Sequence, residues 1–385
     1  MEVYLDNAAT TKCFPQVAEL MTLIMSEDYG NAASLHQKGI TAEKYLRYAR
    51  EVISAKLKVK EDELIFTSGG TESDNLALAG AAVANRRRGN HIITTAIEHP
   101  AVEQTMEYLE AQGFLVTRLP VDDDGVINLR ELERVICDET ILVSIIHVNN
   151  ETGIIQPLDE IGVLLRKVNP GIIFHTDAVQ GFGRLPLSPK RSGIDLLTAS
   201  AHKLHGPKGV GFLYKDERVK LSPISYGGGQ QGGWRSGTEN IPGIAGMAKA
   251  ADLMNVMMDE NIIRMNELRD RFLQGLTNIP QVTVNRSDSR AFAPYIVSVT
   301  IAGIKSEVLL HALGEKGIYV SAGNACSARK QGHKSPTLKA IGLSNEMIDS
   351  TVRFSFSHYT ETVEIDYTLQ AMYDIIPVLR KYVKR

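Results

Sequence analysis

The chain has 385 residues, of which 43% are apolar and 23% are charged, and its formal net charge is -3. These values exclude a strongly basic nucleic-acid-binding protein and an acidic disordered chain. No apolar run reaches the roughly 18 residues that a membrane helix needs. The cysteines Cys13, Cys137 and Cys326 form no C-x-x-C pair. The amino terminus lacks a signal-peptide pattern, so we expect a reducing, cytoplasmic location.

Short apolar runs alternate with amphipathic segments over the first two thirds of the chain. The apolar runs are rich in Ile, Val, Leu and Phe, which predicts strands that are covered on both faces. We expect strands at residues 63–67, 91–96, 114–119, 141–148, 171–176, 195–200 and 210–214. Helices are expected between them at residues 73–88, 101–112, 129–135 and 159–168. This alternation predicts an α/β fold with a mainly parallel central sheet flanked by helices.

The pattern changes near residue 244, where one long helix is predicted over residues 244–278. Shorter elements follow it, with strands expected at 282–285, 295–300 and 318–321 and a helix at 306–313. We therefore expect two domains, a large one at 13–257 and a smaller α+β domain at 258–385, with residues 1–12 associated with the smaller one. Because no linker separates them, the two domains should pack closely.

Ligands of mainly parallel sheets bind at the carboxyl ends of the strands. Lys203 comes just after the expected strand at 195–200, where it would face this crevice. Burial lowers the pKa of a lysine and favours Schiff-base chemistry with an aldehyde. The alternative, a lysine that extends into solvent, is the commoner one by spacing alone.

A glycine-rich turn at residues 68–74 (SGGTESD) joins an expected strand to an expected helix. The helix N-terminus would offer free N–H groups to a phosphate, although the same turn could be an ordinary capped helix start. A second glycine-rich segment, residues 227–232, matches G-x-G-x-x-G. It follows no clear strand and opens no helix, so we reject a dinucleotide-binding fingerprint and with it a nucleotide-dependent dehydrogenase. Arg235 and Thr238 behind it could still reach an anion.

Further polar residues end expected strands on the same edge. Asp177 could hold a protonated ring nitrogen, or it could be a helix N-cap. The residues that this edge would collect are Thr71, His99, Asn150, Asp177, Gln180, Ser200, His202 and Lys203. A phosphate cradle, a carboxylate and a lysine in one crevice suit pyridoxal 5'-phosphate.

Two residues of the last third also have reactive or binding potential. Cys326 lies among small polar residues and is followed by several cations, which would lower the pKa of its thiol; a buried, inert cysteine is the alternative, and we expect that role for Cys137. Arg353 lies in an apolar run and could bind a substrate carboxylate, or form a surface salt bridge. We predict no metal site, because the spacing of Cys and His fits none.

The order of these motifs resembles the cysteine desulfurases of the NifS/IscS-like group, within the class-V aminotransferases of pyridoxal-phosphate fold-type I. The resemblance covers nearly the whole chain. It rests on residues 4–11 (YLDNAATT), 30–36 (GNAASLH), 67–75 (TSGGTESDN), 147–153 (HVNNETG), 200–203 (SAHK), 235–238 (RSGT), Cys326 and Arg353. The family usually has serine where this chain has Asn324, and often alanine where it has Gly70; neither difference removes a reacting group.

The resemblance implies a role for each matching residue. Lys203 binds the cofactor covalently, His99 stacks on its ring and contributes to proton transfer, and Asp177 pairs with the pyridine nitrogen. The remaining cofactor contacts are Gln180 and Asn150 at the ring oxygen, and Gly70, Thr71, Ser200, His202 and, from the other subunit of a homodimer, Thr238 at the phosphate. The residues implied at the substrate carboxylate are Arg353, Asn31 and Asn150.

The implied reaction converts L-cysteine to L-alanine and leaves the sulfur as a persulfide on Cys326. An acceptor protein would then take the sulfur for iron–sulfur cluster assembly or for tRNA or cofactor thiolation. Neither nucleic acid nor a membrane is expected as a direct partner. A selenocysteine lyase, a class-V aminotransferase and a non-catalytic sulfur-assembly scaffold are the alternatives, and a scaffold would not need to keep Lys203 and Cys326.

Overall fold

The computed structural model describes residues 1–286, 291–322 and 334–383. Within these ranges the strands are β1 (Val3–Tyr4), β2 (Leu64–Thr67), β3 (His91–Thr95), β4 (Leu115–Leu119), β5 (Thr140–Ser144), β6 (Ile173–Asp177), β7 (Leu196–Ser200), β8 (Gly211–Lys215), β9 (Val282–Val284), β10 (Ile296–Ile301), β11 (Ile318–Tyr319), β12 (Ser321–Ala322) and β13 (Thr351–Ser355). The α-helices are α1 (Pro15–Ser26), α2 (Gln37–Leu57), α3 (Gly70–Asn85), α4 (Pro100–Ala111), α5 (Leu129–Val135), α6 (Leu158–Val168), α7 (Ile241–Val256), α8 (Met258–Leu276), α9 (Ser306–Gly314), α10 (Pro336–Ala340), α11 (Asn345–Asp349) and α12 (Thr362–Val383).

The larger sheet has the strand order β2-β8-β7-β6-β5-β3-β4. The strands from β4 to β7 run parallel, and β8 is antiparallel to both β7 and β2. Because β8 reverses the direction twice, β2 points the same way as β7. The carboxyl ends of β2, β3, β5, β6 and β7 therefore meet at one edge, which confirms the predicted α/β class with a mainly parallel sheet.

Both faces of this sheet are buried. Along β6, Phe174 packs in a core with α2, α6 and α7, whereas the neighbouring Ile173 packs in a core with α3 and α4. Successive side chains of a strand point to opposite faces, so a strand between two helical layers needs apolar side chains on both faces, and in β6 the polar residues come at its carboxyl end. This explains the continuous apolar runs that the sequence shows.

The smaller sheet is antiparallel, in the order β12-β13-β10-β9. Its core includes residues of α8, α9 and α12. Val3 and Leu5, from the start of the chain, are buried in the same core. The N-terminal segment then continues to the edge of the larger sheet, where the Thr11 N–H donates to the His202 carbonyl at 2.9 Å.

Three expectations about local structure were wrong. The single helix at 244–278 is two helices that meet at Met257, whose φ of -99° and ψ of 5° lie outside the helical range; the break lets α7 pack on the larger core and α8 on the smaller one. The strand at 318–321 is divided between two sheets. Cys137 follows the end of α5 and is exposed, not buried. Among the described residues, no helix has the length and hydropathy to cross a bilayer.

Candidate active site

A cavity of about 370 Å³ lies at the carboxyl edge of the larger sheet. It is lined by ten of the residues singled out from the sequence: Gly70, Thr71, His99, Asn150, Asp177, Gln180, Ser200, His202, Lys203 and Arg353. Nine of them lie at or after the ends of β2, β3, β5, β6 and β7, and Arg353 is contributed by β13 of the smaller sheet. The fold thus brings together side chains that are up to 283 positions apart in the chain, from Gly70 to Arg353.

Lys203 ends a short 3-10 turn, Ala201–Lys203, directly after β7. Its Nζ donates to the backbone carbonyl of Ala8 at 2.6 Å and to that of Ala9 at 2.7 Å. The N-terminal segment therefore fixes the position of the amine. The sequence gives no signal for these two carbonyl groups, because they are backbone atoms and the side chains of Ala8 and Ala9 take no part in the contact.

Asp177 and His99 are two neighbouring ionisable side chains of the cavity. The Val179 N–H donates to Asp177 Oδ1 at 2.9 Å, and burial raises the pKa of the Asp177 carboxyl, while His99, this hydrogen bond and Lys203 act in the opposite direction. His99 caps α4, since its Nδ1 accepts from the Ala101 N–H at 3.1 Å. Burial lowers the pKa of His99, so its ring is neutral near pH 7 and carries its proton on Nε2.

The first turn of α3 and the end of β7 form the end of the cavity that could hold a phosphate. An N-terminal helical turn has N–H groups without partners inside the helix, and these suit an anion. The fit around Gly70 is tight, because a Cβ there would lie 2.7 Å from Cγ2 of Val179. His202 hydrogen-bonds through Nδ1 to Thr10 Oγ1 at 3.2 Å. Burial lowers the pKa of His202 to about 4, so its ring is neutral near pH 7.

Arg353 is buried with 4% of its surface exposed. Its Nη1 donates to the Asn150 carbonyl at 2.7 Å, and its Nη2 donates to Asp6 Oδ1 at 2.9 Å. The guanidinium is therefore held in place from two sides. The Asp6 side chain is 22% exposed, so Arg353 does form a salt bridge, but a partly buried one rather than one at the surface.

Two predicted site residues, Asn31 and Thr238, are not among the residues that line this cavity. Asn31 is exposed, and its Oδ1 accepts from the Ala33 N–H at 2.9 Å. Thr238 is also exposed. Cys326 and the neighbouring Asn324 lie outside the residues that the structure describes. Conversely, the cavity is also lined by Ala8, Ala9, Asp74, Ile146 and Val179, which the sequence analysis did not single out; Asp74 could have been noticed as a carboxylate in the turn at 68–74.

The cavity has the polar groups that a bound ligand would satisfy. Among the described residues, Gln180 Oε1 and Arg353 Nε are buried and have no hydrogen-bond partner. Buried polar atoms are nearly always paired, so these two atoms indicate a missing polar partner. Together with an amine, a carboxylate and a helix N-terminus, they fit pyridoxal phosphate in chemistry, and a cavity of about 370 Å³ suits such a ligand in size.

The polar atoms of Asp74, His99 and Asp177 lie within 4.8 Å of one another, a spacing that a metal ion could also use. The absence of a resident metal therefore stays a prediction.

Comparison with known proteins gives the same picture over the whole chain. The Aminotransferase class-V family model matches residues 3–368. The cysteine desulfurase IscS of Methanosarcina thermophila is 43% identical over 378 residues, which are 98% of this chain and 93% of that protein. A solved NifS-like protein matches with a TM-score of 0.93 at 38% identity, over 98% of this chain and 100% of that one. SspA, solved in complex with cysteine, matches with a TM-score of 0.82 at 32% identity, over 93% and 100% of the two chains.

The family match covers both sheets and every residue that lines the cavity. The relatives match at well above 30% identity over almost their full length. The chain belongs to the class-V aminotransferase family.

Proposed function

We propose that this chain is a pyridoxal-phosphate-dependent cysteine desulfurase, which converts L-cysteine to L-alanine and transfers the sulfur through Cys326 to an acceptor protein. One observation carries the proposal: Lys203, Asp177 and Arg353 line a single cavity in a chain that is 43% identical to a cysteine desulfurase. An amine, a carboxylate and a guanidinium are the groups needed to attach the cofactor, to balance its ring and to bind an amino-acid carboxylate.

The cofactor is held from both ends of the cavity. When bound, pyridoxal phosphate supplies an aldehyde for covalent attachment and a ring that accepts electrons from the substrate α-carbon. Lys203 is the attachment point, and Asp177 holds a proton on the ring nitrogen. Gln180 and Asn150 would hold the ring oxygen. The phosphate would be held by Gly70, Thr71, Ser200, His202 and, from the partner subunit of a homodimer, Thr238.

Lys203 and His99 handle protons. Lys203 takes the α-proton of the substrate at Nζ, and the Ala8 and Ala9 carbonyls stabilise the ammonium that results. His99 stacks on the ring and relays protons at Nε2, because its Nδ1 is engaged as a helix cap. The low pKa of this ring keeps it neutral and so avoids a second positive charge beside Lys203.

Arg353 binds the substrate carboxylate together with Asn31 and Asn150. Its Nε is free of hydrogen bonds among the described residues, whereas Nη1 and Nη2 are held by Asn150 and Asp6. The arginine can therefore offer a donor to the substrate without losing its position. A fixed donor of this kind costs little conformational entropy when the substrate binds.

Cys326 attacks the substrate sulfur in its thiolate form. The new bond joins the Cys326 sulfur to the substrate sulfur, and the bond between that sulfur and the substrate β-carbon breaks. The β-carbon gains a proton and the electron pair, so that it ends as the methyl group of alanine. The substrate carbon is reduced while the sulfur is oxidised to a persulfide, and no external oxidant or reductant enters this step.

The assembly and location also belong to the proposal. Apolar side chains at Leu23, Met25 and Leu35 are exposed in the single chain, Leu35 to 95%, which supports a homodimer. The two separate cores support the division into domains at 13–257 and 258–385, with residues 1–12 on the smaller domain. A cytoplasmic location suits a free catalytic thiol.

The test is to incubate the purified protein with L-cysteine, pyridoxal phosphate and a thiol reductant, and to quantify alanine and sulfide together. We expect equal amounts of both products, and neither product from Lys203→Ala. Lys167→Ala, at the exposed end of α6, is the matched control and should equal the wild type.

Other outcomes would separate the alternatives. Turnover of selenocysteine without turnover of cysteine would indicate a selenocysteine lyase. Alanine or another amino acid formed only when a keto acid is added would indicate an aminotransferase. Neither product under any of these conditions would leave the scaffold.

A further inference from the structure

A second carboxyl group lies at the Asp177 end of the cavity. Asp74, the fifth residue of α3, lines the cavity and is 1% exposed. The polar atoms of Asp74, His99 and Asp177 lie within 4.8 Å of one another. Two carboxylates this close in a buried site cannot both be charged at little cost, so one of them must keep its proton.

We propose that Asp74 is a positioning residue that remains a neutral carboxylic acid, so that Asp177 alone carries negative charge at the ring of the cofactor. This inference rests on the proposed function for the identity of the cofactor. It concerns a residue that the mechanism above does not use.

The surroundings of Asp74 favour its neutral form. The ionisable groups that face it are His175 and Asp177 on β6, and Glu98 and His99 ahead of α4. Burial lowers the pKa of His175 to about 3, so this ring is neutral although its Nε2 is 3.5 Å from Asp74 Oδ1. Burial first, and then the charge of Asp177, raise the pKa of Asp74 well above its ordinary value, and the opposite effect of the Thr198 side chain does not cancel this shift.

Asp177 is better placed to be the anion. It accepts a backbone hydrogen bond from the Val179 N–H, and the positive charge of Lys203 favours its charged form. Asp74 Oδ1, in contrast, has no hydrogen-bond partner among the described residues. A buried carboxylate without partners is far less stable than a buried neutral acid.

The contact between Asp74 and Thr198 gives the neutral acid a positioning role. The Asp74 carboxyl lies close enough to the Thr198 side chain for the two to interact, and Thr198 pairs with Asp177 in the register of β6 and β7. Thr198 Oγ1 also hydrogen-bonds to His175 Nε2 at 3.2 Å, and His175 Nδ1 to Ser144 Oγ at 2.9 Å. Asp74 therefore connects the start of α3, at the phosphate end of the cavity, to β6 and β7, of which β6 carries Asp177.

The decisive variant is Asp74→Asn, which has the shape of the neutral acid. In the cofactor-loaded protein we would record the visible absorbance of the bound cofactor against pH. If Asp74 is neutral, the midpoint should move by less than about 0.3 pH unit; if it is charged, removal of a nearby negative charge should lower the midpoint by about 1 unit. The control Asp177→Asn removes the proposed anion and should shift the midpoint strongly.

A second readout needs no cofactor. In the full-length cofactor-free protein, the folded state keeps a carboxyl proton that the unfolded state releases above the ordinary pKa of aspartate, so stability falls as pH rises from there until the folded-state carboxyl also titrates. As pH rises, the unfolding equilibrium constant of the wild type should increase more steeply than that of Asp74→Asn. The difference should be about tenfold for each pH unit. Parallel pH profiles of the two proteins would show that no proton is held there and would overturn the proposal.

Asp74→Leu tests the positioning role, because it removes the contact with Thr198. We expect the Kd of pyridoxal phosphate to rise about tenfold or more in this variant and to stay within about threefold in Asp74→Asn. Equal affinity of both variants would contradict positioning, and should Asp74→Leu not fold, the same comparison can be made between Thr198→Val and Thr198→Ser. A protein that shows these results but makes no alanine from L-cysteine would refute the proposed function alone.

Discussion

The two sheets differ in the ionisable side chains that are buried against them. At the carboxyl edge of the larger sheet, Asp74, Glu98 and Asp177 are buried near one another, and burial raises the pKa of Glu98 to about 8. The smaller sheet instead buries an apolar layer, in which the ring of Phe272 lies 4.8 Å from that of Phe354. Its charged contribution to the cavity, Arg353, already has an anionic partner in Asp6.

This difference shows how the site divides its work. Among the described residues, Gln180 Oε1 at the edge of the larger sheet has no hydrogen-bond partner, and neither does Nε of Arg353, so a ligand must satisfy both atoms. The smaller sheet offers a guanidinium whose position is set before the substrate arrives. We therefore assign the cofactor to the larger sheet and recognition of the substrate carboxylate to the smaller one.

The substitution Arg353→Lys tests the role of the smaller sheet, and we expect it to have a larger effect on activity than Gly70→Ala. Lysine keeps the positive charge but lacks the planar guanidinium. It therefore cannot contact Asn150 and Asp6 and offer a third donor, Nε, at the same time. We expect KM for L-cysteine to rise by about 10- to 100-fold, with a smaller change in kcat and unchanged affinity for pyridoxal phosphate. Steady-state kinetics and a cofactor titration would measure these values.

The matched control for this variant is Arg271→Lys, which changes an exposed pair with Asp366 and should leave all three values unchanged. Loss of cofactor binding in Arg353→Lys, with KM unaffected, would contradict the assignment of the two sheets.

Gly70→Ala should give a smaller effect, confined to the larger sheet. The added Cβ would lie 2.7 Å from Val179 Cγ2, which is too close for two carbon atoms. We expect the free energy of unfolding to fall by about 1–3 kcal/mol and cofactor affinity to fall with it, without a change in KM. Denaturant unfolding of the cofactor-free protein measures the first value.

The double variant with Val179→Ala identifies the cause of that effect. It should recover most of the lost stability, because the clashing methyl group is gone; a double-mutant cycle gives the coupling energy. If the two changes are additive, the crowding between Gly70 and Val179 is not the reason for the loss.

Much of the larger sheet could be predicted from the sequence, because each buried strand is a continuous apolar run followed by a polar residue. The rule that ligands bind at the carboxyl ends of parallel strands then placed Lys203, Asp177 and His99 at one edge. The same reasoning missed the break at Met257, since α7 and α8 have compatible helical patterns on either side of it and only packing on two different cores separates them.

The missed parts of the site depend on contacts between distant segments. The Ala8 and Ala9 carbonyls reach Lys203 from nearly 200 positions away, and backbone atoms leave no mark on a side-chain pattern. Asp6 reaches Arg353 across 347 positions. Asp74 is visible in the sequence as an acidic residue near a helix start, where it looks like a favourable partner of the helix dipole, and its burial beside Asp177 is known only from the fold.

The central claim is that Cys326 accepts the sulfur of L-cysteine, and peptide mass spectrometry can test it directly. The cofactor-loaded protein would be mixed with L-cysteine without reductant, alkylated, digested and mapped. We predict one additional sulfur atom on the peptide that contains Cys326, its absence from Cys326→Ser, and no change in the exposed-cysteine control Cys137→Ser. Persulfide on Cys137 or Cys13 with Cys326 unmodified, or alanine formation that is undiminished in Cys326→Ser, would contradict the account.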